Sequence, residues 1–216
     1  MREQVIERIA EGKVIAIVRK LDARSLRDLA RALVEGGVSL IELTFDQANP
    51  DSWADTCAGI RTLNGAFSGA VLAGAGTVLT AAQVEMAREA GAKYIISPDA
   101  NGDVIGRARE LGLVSIPGCM TPTEIAAALR AGADFIKIFP AGTLGADYVK
   151  AVRAPLNHAR MLAVGGVDER NAAEFIRAGC MGVGAGGGLV NKEWIAAGEF
   201  SRITELARAY AKAVHS

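Results

Sequence analysis

Short runs of β-branched and aliphatic residues recur along the chain at intervals of roughly 20–30 residues, the length of a βα unit. Eight such runs read as strands: VIAIVR (14–19), LIELTF (40–45), VLAGAGTV (71–78), YIISP (94–98), LVSIPG (113–118), FIKIFP (135–140), MLAVGG (161–166) and GVGAG (182–186). Between them lie stretches such as ARSLRDLARALVEGG, AAQVEMAREAGA, PTEIAAALRAGA and ERNAAEFIRAGC, whose apolar residues step by three and four, as on one face of a helix. A weak repeat punctuates the alternation. VEGGVSLIEL, REAGAKYIIS, LRAGADFIKI and IRAGCMGVGA each leave a helix through glycine and enter a strand.

Strict alternation predicts a parallel sheet, and eight units predict an α/β fold closed into a (β/α)8 TIM barrel. Residues 1–12 read as an extra N-terminal helix across the bottom of that barrel. An open doubly wound sheet is the alternative, but its GxGxxG fingerprint after the first strand is absent. Residues 1–216 show no linker or low-complexity break, so one domain is expected.

Composition narrows the function classes. Formal net charge is zero, with 24 basic and 24 acidic residues, so nothing points to nucleic acid or an anionic membrane. No apolar run reaches membrane-spanning length, and the N-terminus lacks a signal-peptide core. Cys57, Cys119 and Cys180 are odd in number and widely spaced, which predicts reduced thiols in a cytoplasmic protein. No His/Cys/carboxylate cluster has ligand spacing, so no metal is expected.

The sixth strand carries an anomaly. Lys137 shares a strand face with Phe135 and Phe139, and lysine is almost never buried without a partner or a task. Barrel enzymes gather reactive groups at the carboxyl ends of their strands, where this chain places Arg19, Glu42, Thr44, Thr77, Gly165, Gly166 and the glycine-rich run 184–188. Bland readings exist for each. Lys137 could snorkel between barrel and helices, Glu42 and Arg19 could be solvated, Thr77 could cap a helix, and the glycines could serve turns alone. Together they read differently. Apolar surroundings lower a lysine pKa, a neutral amine forms a Schiff base with a carbonyl, and a neighbouring carboxylate can move the protons. Glycine turns let backbone N–H groups approach a phosphate. The combination predicts a carbonyl lyase acting on a phosphorylated keto acid.

The motifs AIVR, EGGVSLIELTF, GAGTVLT, ISPDAN, IPGCMTPTE, FIKIFPA, AVGGV and VGAGGGLV occur in this order along nearly the whole chain. In them the sequence resembles the bacterial 2-keto-3-deoxy-6-phosphogluconate (KDPG) and 2-keto-4-hydroxyglutarate (KHG) aldolases, class I aldolases of the Entner–Doudoroff route. The resemblance implies that Lys137 is the Schiff-base lysine and Glu42 the general acid–base. Arg19 and Thr77 would hold the substrate's carboxylate end. Phe139 would pack against the pyruvyl group, and Gly165, Gly166, Gly186 and Gly187 would receive the phosphate. It implies no cofactor and a homotrimer, with a phosphorylated keto acid and pyruvate as small-molecule partners.

Three positions depart from the family pattern. Asp46 stands where some members carry arginine. Val164 replaces the threonine of many KDPG aldolases, as in the galactonate-derived branch. Gly187 replaces a serine. Fold and imine chemistry survive these changes, whereas the choice among KDPG, its galactonate epimer and 4-hydroxy-2-ketoglutarate stays open. The rival readings are a phosphate-barrel isomerase or epimerase and a non-catalytic sugar-phosphate-binding barrel. The first lacks a histidine near any strand end, and the second gives Lys137 no purpose.

Overall fold

The computed structural model describes residues 2–216. All strand pairings are parallel, in the order β5-β4-β3-β2-β1-β9-β8-β7-β6. The strands are β1 (Val14–Val18), β2 (Leu40–Thr44), β3 (Leu72–Gly76), β4 (Tyr94–Ile96), β5 (Val114–Ile116), β6 (Gly118–Cys119), β7 (Ile136–Ile138), β8 (Met161–Val164) and β9 (Gly182–Ala185). Helix α1 (Arg2–Gly12) precedes the first strand, and α2 (Ala23–Glu35), α3 (Trp53–Phe67), α4 (Ala81–Glu89), α5 (Gly102–Glu110), α6 (Pro122–Ala131), α7 (Ala141–Leu144), α8 (Ala146–Arg153), α9 (Ala172–Arg177), α10 (Lys192–Ala197) and α11 (Phe200–His215) follow in chain order.

One expected strand is divided. LVSIPG forms two pieces, because Pro117 has no N–H to continue the ladder. The first piece pairs with β4 and the second with β7. The ring nonetheless closes across the break. Phe135 N–H donates to the Ser115 carbonyl at 3.2 Å, Lys137 N–H to that of Pro117 at 2.9 Å, and Phe139 N–H to that of Cys119 at 3.1 Å. The architecture is the predicted barrel, with its fifth strand bent at the seam.

Two apolar layers result. The outer one joins the outward strand faces to the helices. The inner one fills the barrel with Ile15, Leu40, Leu72, Tyr94, Ile96, Val114, Ile116, Phe135 and Leu162. The N-terminal helix α1 (Arg2–Gly12) adds Val5, Ile6 and Ile9 to that inner layer, closing the bottom as expected. The repeat glycines also behave as read: Gly37, Gly91, Gly132 and Gly179 all have φ between 88° and 105°. The three cysteines are free and buried. No helix among the described residues is long and apolar enough to cross a membrane.

Candidate active site

The inner layer decides which way the polar strand residues point. Leu40 and Phe135 lie in it. Two residues further along the same faces, Glu42 and Lys137 point into the barrel one layer higher. Glu42 is 2% exposed and Lys137 7%, which overturns the snorkelling reading of Lys137 and the solvated reading of Glu42. Burial pushes the Glu42 carboxyl above its ordinary pKa, while the positive charges of Lys137 and Arg19 pull it back. Burial likewise lowers the Lys137 pKa, opposed by Glu42 and reinforced by Arg19. Each group is driven toward its neutral form by lost hydration and held back by the other's charge. A lysine so placed can supply a free amine.

The two phenylalanines play different parts. Phe135 is fully buried in the layer beneath the amine. Phe139 stands at the mouth, 37% exposed, with the Lys137 Nζ 4.8 Å from its ring centroid. Its ring face favours the cation, so burial lowers the pKa against that attraction. The same ring lies on the turn after β8. A Cβ at Gly165 would stand 2.9 Å from it.

Gly165 and Gly166 both have positive φ, 86° and 74°, a pair that side chains would strain. Two donors brace the turn, and a third bond fixes one of them. Gly142 N–H donates to the Gly165 carbonyl at 2.7 Å, and Asn171 Nδ2 to that of Gly166 at 3.0 Å. Asp168 N–H donates to the Asn171 Oδ1 at 2.9 Å. Val164, the inward residue before the turn, fits against β9: a Cβ at Gly184 would meet its methyl carbons at 2.9 and 3.0 Å. Gly186 and Gly187 have open space where a side chain would go.

Thr77 follows β3 in a left-handed conformation, φ 55°, unusual for a β-branched residue. It caps nothing; Thr80 caps α4 in a capping box with Gln83. Sequence reasoning missed what holds Thr77. The buried Gln83 accepts from Leu79 N–H at 2.7 Å, and its Nε2 donates to Gln47 Oε1 at 3.1 Å. Gln47 Nε2 donates in turn to the Thr77 carbonyl at 2.5 Å. The Thr80-x-x-Gln83 spacing was the available signal for the first link.

Arg19 lies just past β1, exposed and without an acidic partner among the described residues. With Gly187, Asn191 and Lys192 it lines a cavity of about 350 Å³ at the barrel mouth. Its charge still reaches Glu42 and Lys137. A larger cavity, about 460 Å³, lies outside the barrel wall between α2 and α3, and neither cavity is lined by Glu42 or Lys137. Asp46 belongs to that outer cavity and pairs with Lys20 at 2.6 Å. Among the described residues, no group of three or more His, Cys, Asp or Glu side chains is placed to hold a metal.

A buried lysine near a buried carboxylate at the carboxyl end of a parallel barrel is an arrangement suited to imine chemistry on a carbonyl. The chain matches the family of KDPG and KHG aldolases over residues 5–206 and belongs to it. It is therefore an aldolase, a lyase of the Schiff-base class. It is 35% identical over 201 residues to the 2-dehydro-3-deoxy-6-phosphogalactonate aldolase of Escherichia coli, covering 93% of each chain. It is 35% identical over 206 residues to the 2-dehydro-3-deoxy-phosphogluconate aldolase of Treponema pallidum, covering 95% of this chain and 93% of the other. Its fold superposes with a TM-score of 0.83 on the KDPG aldolase of Legionella pneumophila, solved with pyruvate captured as a covalent carbinolamine. Identity there is 26%, over 97% and 98% of the two chains.

Proposed function

We propose that this chain cleaves a 2-keto-3-deoxy-6-phospho sugar acid, with KDPG as the main substrate, giving pyruvate and glyceraldehyde 3-phosphate. The observation that carries the reading is the buried Lys137 facing the barrel interior together with Glu42. The Lys137 amine attacks the C2 ketone, and loss of water leaves a cationic imine. Glu42 takes the C4 hydroxyl proton, the C3–C4 bond breaks, and its electrons pass into the imine to give an enamine. Glu42 returns the proton to C3, and hydrolysis frees pyruvate and the lysine. The phosphate lies at the Gly165–Gly166 turn and Gly187. Thr77 receives the keto acid's carboxylate, Phe139 packs on its pyruvyl part, and Arg19 supplies positive charge. The assembly is a cytoplasmic homotrimer, with a solution mass three times the 22.5 kDa of the chain. Borohydride with pyruvate tests the chemistry: a mass adduct is expected on Lys137, and an adduct on another lysine overturns the mechanism.

A second reading is favoured by Val164. Seated in the notch at Gly184, it offers the substrate's hydroxyls no donor, so the C4 epimer derived from galactonate is accepted as well. Without a serine at 187, unphosphorylated 4-hydroxy-2-ketoglutarate is accepted at lower efficiency. Rates with all three acids separate these substrates.

A further inference from the structure

We propose that Gly76 is the positioning residue for Glu42: its missing side chain leaves a notch on β3 in which the carboxylate is seated. The inference rests on the aldolase reading in taking Glu42 as the proton carrier.

The register makes the notch. Glu42 is opposite Gly74 and Thr44 is opposite Gly76, so the Glu42 side chain reaches one pleat toward the mouth to lie over Gly76. A Cβ built there would stand 1.6 Å from Oε1, 2.3 Å from Cδ and 2.5 Å from Cγ. Real Cβ atoms do not approach so closely, and three atoms of one group are struck together. The layer below is full. A Cβ at Gly74 would meet the Tyr94 ring at 2.2–2.5 Å, and Tyr94 is completely buried. The carboxylate therefore cannot retreat downward. Among the described residues no hydrogen bond is made to its oxygens, which are not fully enclosed. The shape of β3, rather than a polar partner, sets where the acid–base group stands.

The two inward glycines of LAGAG thus have separate duties: Gly74 admits the Tyr94 ring and Gly76 the reactive carboxylate. An alanine at 76 displaces the carboxylate toward the mouth, away from the carbon it must deprotonate and into better hydration. Imine formation needs only the amine and survives.

A double-mutant cycle with two readouts tests this. In Gly76→Ala, exchange of pyruvate methyl hydrogens with D2O falls about 100-fold, the scale of lost general-base catalysis, while borohydride trapping on Lys137 persists. The acid limb of the residual exchange moves to lower pH, because the displaced carboxylate is better hydrated; a purely structural defect leaves that limb in place. Gly76→Ala lowers Tm by about 5 °C through overpacking. In a Glu42→Ala background the same substitution lowers neither Tm nor the exchange rate further, since the struck atoms are gone. Equal Tm losses in both backgrounds, failure to fold in both, or exchange at the wild-type rate in Gly76→Ala overturns the notch. If wild type itself neither traps nor exchanges pyruvate, the aldolase reading falls, and the Tm cycle alone still decides the notch.

Discussion

At its lower end the barrel interior is mostly hydrocarbon: Ile15, Leu40, Leu72, Phe135 and Leu162, with the ring of Tyr94, pack on Val5, Ile6 and Ile9 of α1. One layer up, the same strands carry a glutamate and a lysine in comparable dryness. Leu40 and Glu42 are two residues apart, as are Phe135 and Lys137. This fold gains stability in the lower layer and gives some up in the upper one. The lower layer removes apolar surface from water with one polar group to satisfy, the Tyr94 hydroxyl, which donates to the Leu72 carbonyl at 3.5 Å. The upper layer removes two ionisable groups from water, and their attraction only partly offsets the lost hydration. Truncations below should cost stability and spare chemistry; replacing the two ionisable groups above by uncharged ones should do the reverse.

The most severe test is Lys137→Met, which keeps much of the volume and removes the amine. Cleavage of KDPG is expected to vanish. Tm at neutral pH should rise in the double variant Lys137→Met/Glu42→Gln, since replacing a buried charge pair by uncharged groups is often stabilising, whereas Lys137→Met alone leaves the Glu42 charge without its partner. The gain has a pH signature. Burial lowers the folded pKa of Lys137, so its unfavourable contribution is full below that lowered value and gone above the ordinary 10.5. The Tm advantage of the double variant should shrink as pH approaches that limit. A fall in its Tm at pH 7 would break the comparison.

Glu42→Gln keeps the shape and removes the proposed proton acceptor. Turnover should drop about 100-fold or more, with pyruvate still trapped by borohydride. In wild type the carboxylate must be ionised to accept a proton, and burial raises its pKa. The acid limb of kcat/KM should therefore lie above pH 4.5, the ordinary carboxylate value, and should disappear in the variant. Near-normal turnover assigns the proton to another group.

Ile9→Ala sharpens the comparison from below. Ile9 is fully buried in the α1 plug, so its truncation should cost about 2–5 kcal/mol of stability. A denaturant melt measures that loss, and kcat on the folded enzyme should be unchanged. A large change in kcat would mean that the two layers are coupled.

The smallest effects belong to the rim. Val164→Thr is nearly isosteric and still fits the space at Gly184. It should shift the ratio of kcat/KM for KDPG over its C4 epimer by about tenfold, the scale of a single added contact. Gly187→Ser should favour phosphorylated over unphosphorylated acids, since a hydrogen bond to a charged group contributes about 1.5–3 kcal/mol. A thousandfold epimer preference in wild type would remove the argument from Val164.

The features legible in the chain before folding were local and periodic. Two-residue alternation put Glu42 and Lys137 on the faces of Leu40 and Phe135, and the three- and four-residue steps marked the helices. Glycine marked the helix ends where φ turns positive. Pro117 was equally visible, yet its effect was hidden inside LVSIPG: a missing donor breaks a ladder only where a neighbour needs that donor. Tertiary structure alone decided the rest. That Asp46 pairs with Lys20 outside the barrel depends on the direction the chain takes after β1 and β2. The strained Thr77 is held by Gln47 and Gln83 through contacts across 30 and 36 residues of chain. Glu42 finds its seat at Gly76, and Val164 at Gly184, only because strand register brings each glycine beside the side chain that needs its empty space. Periodicity tells a residue which face it occupies. The neighbour across that face is chosen by barrel closure, which no single stretch of sequence encodes.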